Sequence, residues 1–148
     1  MPVVDSARRI ENLLYTYAER IDAGDLDGVA ELFRHGRIHG QEGGPPGTVF
    51  EGYDGVRGLY AMATRLHGPT PLTRHVTTNA LIEVDEEAGT ATSRSGYTVL
   101  QATPDLPLQV IVAGRYGDTF HRVEGDWWFD TRTMYVDLAG DLSQHLKF

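Results

Sequence analysis

The sequence predicts an α+β fold in which a cone-shaped, curved antiparallel β-sheet packs on three N-terminal helices and leaves a central pocket. Apolar residues recur with helical periodicity in the first half of the 148-residue chain. The second half consists of β-like stretches divided by tight turns. One face of such a sheet must be covered by the helices, and Gly96, Gly114 and Gly117 within the strands are expected to bend it. We therefore expect a single α+β barrel-like domain over residues 1–148.

Three amphipathic helices are predicted before residue 67. The first runs from Ser6 to Ile21, with its apolar residues at three- and four-residue steps. Gly24 favours a stop, and Asp25 is a suitable N-cap for a second, short helix that ends before Gly36. A third helix is predicted with Asp54 as its cap, and its apolar side carries Val56, Leu59, Tyr60, Ala63 and Leu66.

The remaining elements are β-like. Short pieces are predicted around residues 37–39 and 48–51, with a Gly- and Pro-rich loop over 41–47 between them. Four long strands are predicted over 73–85, 90–102, 106–122 and 127–138. Strict alternation across residues 74–84 places His75 opposite most of the apolar positions, which predicts a bulge or a strand buried on both faces.

Composition excludes several classes of function. The net charge of −8 and the scattered Lys and Arg residues disfavour nucleic acid and anionic membranes as partners. The absence of cysteine excludes thiol catalysis and disulfides, and no apolar run approaches a membrane span. His35 and His39 have metal-ligand spacing, but Gly36 breaks the helix that would align them. We expect a cytoplasmic protein without a metal or another cofactor.

Three residues have chemistry that their positions do not explain. Asp22 lies in the last turn of the first helix, where the helix terminus disfavours a carboxylate; a solvated Asp or a pair with Arg20 is the plainer explanation. His75 opens a long strand, where a hydrogen-bonded structural histidine is common. Arg132 alternates with Trp128 and Met134 on a face that looks buried, so it needs an anionic ligand or a cross-strand pair with an acid such as Asp130 or Asp118. Tyr17 and Tyr97 are ordinary core candidates.

Several runs of sequence together resemble the SnoaL-like branch of the nuclear-transport-factor-2-like superfamily. They are Tyr15–Asp25, Leu32-Phe33, Arg74-His75 with Thr78-Asn79, Gly114–Asp118 and Trp127–Phe129. The resemblance implies a cone of curved sheet and helices with a pocket at its open end. It also places Asp22 and His75 on the Asp–His dyad of the lyases scytalone dehydratase, bile-acid 7α-dehydratase and hexachlorocyclohexane dehydrochlorinase. Arg132 falls on a substrate-facing arginine of the dehydrochlorinase, and Tyr17 resembles a pocket tyrosine of the bile-acid enzyme.

The resulting hypothesis is a cofactor-independent, dehydratase-like lyase in which His75 is the base, Asp22 orients it, and Tyr17 and Arg132 donate hydrogen bonds to the leaving oxygen. A mostly apolar wall favours a small cyclic or polyketide-like substrate, with binding residues Tyr97, Leu14, Phe33, Tyr60, Leu66 and Met134. An isomerase or cyclase using the same base, and a non-catalytic ligand-binding domain, remain alternatives. Apolar residues on both sides of the third long strand, among them Leu106, Leu108, Val110 and Ile111, predict a homodimer or homotrimer.

Overall fold

The computed structural model describes residues 5–40 and 48–147. It contains the helices α1 (Ser6–Asp22), α2 (Leu26–Glu31) and α3 (Gly52–Ala63), and the strands β1 (Arg37–His39), β2 (Val49–Glu51), β3 (Thr73–Asp85), β4 (Thr90–Thr103), β5 (Leu106–Val123) and β6 (Asp126–Ala139). The predicted elements are confirmed, and the long strands end within one residue of their predicted limits. The loop predicted over 41–47 lies outside the described residues.

Local sequence signals account for two of the three helix starts. The Asp5 side chain caps α1 by accepting the Arg8 backbone N–H at 2.8 Å, and Asp25 caps α2 by accepting the Gly28 N–H at 2.8 Å. The prediction for α3 is wrong at both ends: Glu51 occupies its N-cap position, Asp54 lies in its first turn, and it ends at Ala63. Leu66 is therefore outside the helix and 42% exposed.

The sheet follows the strand order β2-β1-β6-β5-β4-β3. Every neighbouring pair is antiparallel except β1 and β6, which are parallel, so the expectation of a wholly antiparallel sheet is wrong at that pair. In the described part of the chain, β2 and β3 are the two edges, and the curved sheet does not close into a barrel. Parallel pairing of β1 is possible because α3 and β3–β5 separate it from β6 in sequence.

The bulge predicted in β3 is confirmed. Pairing of β3 with β4 shifts register between Thr78 and Leu81, and Asn79 adopts a left-handed backbone with φ 57°. Asparagine tolerates this conformation better than most residues with a side chain. The extra residue lets β3 turn His75 toward the helices at one end and still bury Ile82 and Val84 at the other.

The inner face of the sheet packs on α1 and α2 through one apolar cluster, whose fully buried members include Ile10, Leu14, Phe33, Ile111 and Phe129. Burying such side chains contributes about 1.5–3 kcal/mol each. No helix within the described ranges is long and apolar enough to cross a membrane. The candidate site lies at the open end of the cone, where members of this cluster form part of its wall.

Candidate active site

Asp22 is the last residue of α1, and its carboxylate accepts three hydrogen bonds. Oδ2 accepts the backbone N–H of His75 at 2.8 Å, and Oδ1 accepts the Thr73 hydroxyl at 2.9 Å and contacts His75 Nδ1 at 2.6 Å. The turn that aims α1 at β3 requires Gly24, which has φ 73° and no room for a Cβ beside the Pro69 carbonyl. These three hydrogen bonds stabilise the Asp22 carboxylate, which explains why an acidic residue is found at the C-terminus of a helix, where the helix dipole disfavours it.

The contact with Asp22 sets the tautomer of His75. An ionised carboxylate only accepts hydrogen bonds, so the contact favours the tautomer with the proton on Nδ1, in which the neutral ring has its lone pair on Nε2. The His75 side chain is 8% exposed and that of Asp22 is 15% exposed. His75 therefore has the hydrogen-bonding arrangement of a general base, and its carboxylate partner is already in place to stabilise the imidazolium.

His75 lines a cavity of about 390 Å³ at the open end of the cone. Its wall is mainly apolar and is supplied by α1, α3, β4, β5, β6 and the chain after β6. The polar members are Tyr17, Tyr60, Thr64, His75, Tyr97, Tyr116 and His145, and the apolar members include Ile21, Leu59, Val99, Val112, Met134, Val136, Leu142 and Leu146. This size and lining suit a small, largely apolar molecule that carries a few oxygen atoms.

Tyrosine hydroxyls supply hydrogen bonds within the wall. Tyr17 and Tyr60 share a hydrogen bond through their hydroxyls, and Tyr97 donates to the Tyr135 carbonyl at 2.9 Å. Burial raises the pKa of Tyr17 and of Tyr60, and it raises the pKa of Tyr97 to about 12. These phenols stay protonated at neutral pH. One O–H is used between Tyr17 and Tyr60; when Tyr60 donates it, the Tyr17 O–H has only the weak acceptor Met134 Sδ at 4.0 Å and can turn to a better acceptor on a ligand.

Arg132 does not line the cavity but lies in the core behind it. Its side chain is 0% exposed and makes two hydrogen bonds to Asp118, from Nε at 2.8 Å and from Nη2 at 3.0 Å. Burial lowers the pKa of Arg132, but the charge of Asp118 and its hydrogen bonds raise it by more, so the guanidinium remains charged. The alternative of a cross-strand pair with Asp118 is thus the one observed.

Aromatic rings separate Arg132 from the cavity. Its guanidinium carbon lies 3.6 Å from the centroid of the Tyr116 ring and 4.4 Å from that of Tyr17. Both rings line the cavity. The expectation that Arg132 joins the other site residues at one cavity is therefore wrong, and its contact with the site passes through Tyr17 and Tyr116.

The predicted apolar wall is only partly observed. Tyr60, Met134 and Tyr97 line the cavity, as predicted. Leu14 and Phe33 are instead 0% exposed in the core beneath it, because Leu14 lies on the buried face of α1 and Phe33, just after α2, stacks on Phe129 of β6. Leu66 lies past the end of α3 on the surface.

His145 is a cavity residue that the sequence reasoning missed. Its ring lies 6.1 Å from the His75 ring, centroid to centroid. Burial, aided by the neighbouring His75, lowers the pKa of His145 to about 4. Its Nδ1 is buried and has no hydrogen-bond partner among the described residues, which costs about 1–3 kcal/mol. The available signal was weak: a histidine between Leu142 and Leu146, an apolar pair four residues apart after the last strand.

Within residues 5–40 and 48–147, no group of three or more His, Asp or Glu side chains is arranged to hold a metal ion. Fold and site together define a small α+β protein of the NTF2-like, cystatin-like class, with an acid–imidazole pair at the wall of an apolar pocket. The chain belongs to the SnoaL-like domain family, whose model matches residues 2–133. No curated protein matches it.

Solved structures share the fold. Rv3472 from Mycobacterium tuberculosis, a protein of unknown function, is 28% identical with a TM-score of 0.70, over 88% of this chain and 71% of that one. A Nostoc punctiforme protein of unknown function with a cystatin-like fold is 23% identical, with a TM-score of 0.73 over 96% and 99% of the two chains. A proposed scytalone dehydratase from Novosphingobium aromaticivorans is 23% identical, with a TM-score of 0.70 over 91% and 86%.

Proposed function

We propose that the protein is a cofactor-independent lyase that removes water from a small cyclic β-hydroxy ketone, using His75 as base and Asp22 as its orienting partner. The observation that carries the proposal is the dyad itself, in which Asp22 fixes Nδ1 of His75 while the ring lines an apolar cavity. The fold neighbour named as a proposed scytalone dehydratase supports the same class of reaction. At 23% identity, that neighbour supports the proposal through its fold alone.

The elimination balances without any further reagent. Nε2 of His75 takes the proton from the carbon next to the ketone, and the C–H electron pair becomes the new C=C bond. The C–O bond on the neighbouring carbon breaks, and its electron pair leaves with the hydroxyl oxygen. The imidazolium returns its proton to that oxygen, which releases water and restores neutral His75. Asp22 stays ionised and stabilises the imidazolium throughout.

The tyrosine pair has a role in this reaction. The O–H that Tyr17 and Tyr60 leave available would donate to the departing oxygen, where negative charge develops. Arg132 lies behind Tyr17 and would act on the substrate only by holding that ring and its hydroxyl in place. The apolar wall favours a ring system, and a cavity of about 390 Å³ accommodates a system that consists of two fused rings.

Product analysis tests the proposed reaction. The protein is incubated with a panel of bicyclic β-hydroxy ketones whose dehydration gives an aromatic product, and water loss is followed by absorbance and mass. We expect turnover that resists chelators. A product of unchanged mass would show an isomerase or cyclase in place of the lyase, and binding without conversion would favour the non-catalytic alternative.

A mutant cycle tests the dyad as one unit. We expect His75→Ala to lower turnover by about 10²–10⁴-fold, because it removes the base. Asp22→Asn should cost a similar factor, since the amide no longer enforces the tautomer. The double mutant should be hardly slower than His75→Ala, and this departure from additivity is measured on the same substrate.

The control for the cycle is the unfolding of each variant in urea. Independent, multiplying losses would contradict a shared mechanism. Full activity in His75→Ala would refute the proposed function.

A further inference from the structure

The chain after β6 forms one wall of the cavity, and its backbone is fixed on both sides of His145. The Arg65 backbone N–H donates to the His145 carbonyl at 2.8 Å, and that of Lys147 donates to the Ala63 carbonyl at 2.9 Å. The buried Gln101 side chain donates to the Gln144 carbonyl at 3.0 Å. These contacts attach residues 144–147 to the end of α3 and to β4. The position of the His145 ring is therefore set by the fold.

His145 faces the same space as the dyad. Both rings line the cavity, and their centroids lie 6.1 Å apart with the planes at 65°. One functional group of a bound ligand can reach both rings at that separation. Nδ1 of His145 is buried without a partner in the described chain, so Nε2 is the ring nitrogen through which His145 would bind a ligand in the cavity.

We propose that His145 is a second catalytic residue, which hydrogen-bonds the ketone oxygen of the substrate while His75 removes the proton from the adjacent carbon. The proposal rests on the proposed elimination. No proton leaves His145 during the reaction: its N–H donates to an oxygen that gains negative charge as the C–H bond breaks. The hydrogen bond therefore strengthens toward the transition state, which is the condition for it to increase the rate.

The surroundings of His145 keep its ring neutral. Its low pKa of about 4 is caused mainly by burial, with smaller lowering contributions from His75 and His67, and Asp22 acts in the opposite direction. A neutral imidazole donates one hydrogen bond and competes poorly with His75 for the substrate proton. The two histidines thus divide the work, with His75 as the base and His145 as the donor.

The test compares two ligands that differ by one oxygen. Binding of 2-naphthol, whose phenolic oxygen imitates an enolate oxygen on a fused ring, is measured beside naphthalene by fluorescence titration. The proteins are wild type, His145→Leu and the matched cavity variant Leu146→Ala. We expect His145→Leu to weaken the binding of 2-naphthol by about fivefold and that of naphthalene by less than about twofold, because the variant loses one hydrogen bond that only 2-naphthol makes. Leu146→Ala should weaken both ligands by the same factor.

Equal weakening of both ligands in His145→Leu, or a wild-type protein that binds neither of them, would overturn the proposal. The urea midpoint of His145→Leu at pH 7 gives a second readout. It should equal or exceed that of wild type, because the variant removes a buried nitrogen without a partner; a lower midpoint would show a structural role. Product analysis of the wild-type protein is a separate measurement. If the wild-type protein eliminates water but His145→Leu weakens 2-naphthol and naphthalene equally, only the role of His145 is refuted.

Discussion

Two acid–base pairs lie beside the Tyr17 ring, and they differ in what can reach them. Asp118 and Arg132 are both 0% exposed, with aromatic rings between the guanidinium and the cavity. Asp22 and His75 keep 15% and 8% of their side chains exposed, and His75 lines the cavity. The first pair contains a guanidinium, which does not act as a base, whereas the second contains an imidazole, a group that can accept and donate a proton.

The comparison shows why a buried charge is not by itself a sign of catalysis. Arg132 and Asp118 bind one another behind aromatic rings and are out of reach of a substrate, although Arg132 packs on rings that face the cavity. A histidine whose second nitrogen remains available beside a cavity can exchange protons with a ligand. The sequence suggested both Arg132 and His75 as catalytic residues, but only His75 lines the cavity.

The largest predicted effect is the difference in stability lost when the acid of each pair is replaced by leucine. Asp118→Leu leaves a charged guanidinium buried without its partner and should lower the free energy of unfolding by about 3–5 kcal/mol. Asp22→Leu should cost less, because His75 can lose its proton and can be reached from the cavity. Urea unfolding at pH 7 measures both variants.

The double variant Asp118→Leu/Arg132→Met is the control for this comparison. It should recover most of the loss, because it removes both buried charges together. Equal losses in the two single variants, or no recovery in the double variant, would contradict the difference between the pairs.

A smaller effect should appear with pH and depends on His145. Its pKa falls from 6.5 in the unfolded chain to about 4 in the fold, so the folded protein binds fewer protons than the unfolded one between those values. The stability associated with neutral His145 is fully present above pH 6.5 and is lost as the pH falls toward 4. This linkage amounts to about 2–3 kcal/mol.

The measurement is urea unfolding of wild type and His145→Leu at pH 7 and pH 4.5, where the variant should lose less stability on acidification. Leu146→Ala should shift the whole curve without changing its dependence on pH. Parallel curves for wild type and His145→Leu would show that His145 is not shielded from water as its surroundings imply.

Self-association is the last prediction and should have the smallest effect on each subunit. Leu108 and Leu138 are 72% and 70% exposed on neighbouring strands, and Val110, on the same strand as Leu108, is also exposed. A patch of this kind favours contact with a second copy of the chain. We expect sedimentation at micromolar concentration to show a dimer or trimer, and Leu138→Glu to shift it toward monomer.

The control is Met62→Glu, which changes an exposed apolar residue on α3. It should leave the assembly unchanged. A monomeric wild-type protein would contradict the prediction.

The sequence by itself determined the elements and half of the site. Periodicity fixed α1 and the four long strands, because their apolar faces repeat at 3.6 and 2 residues. Mismatch within residues 74–84 predicted either a bulge or a strand buried on both faces in that stretch, and the structure has a bulge there, at Asn79. The resemblance to SnoaL-like proteins singled out Asp22 and His75, and the unfavourable helix terminus independently marked Asp22 as a residue in need of partners.

Only the tertiary structure decided the partner of Arg132 and the place of His145. Register between β5 and β6 shifts at Thr119 and Phe120, so Asp130 is an extra residue and Arg132 turns to the face of Phe129 instead of that of Trp128. A bulge of one residue reverses every later side chain, and the short pattern around it does not reveal it. His145 follows the last strand without periodicity of its own, and its place depends on contacts with α3 and β4, which lie far away in the sequence.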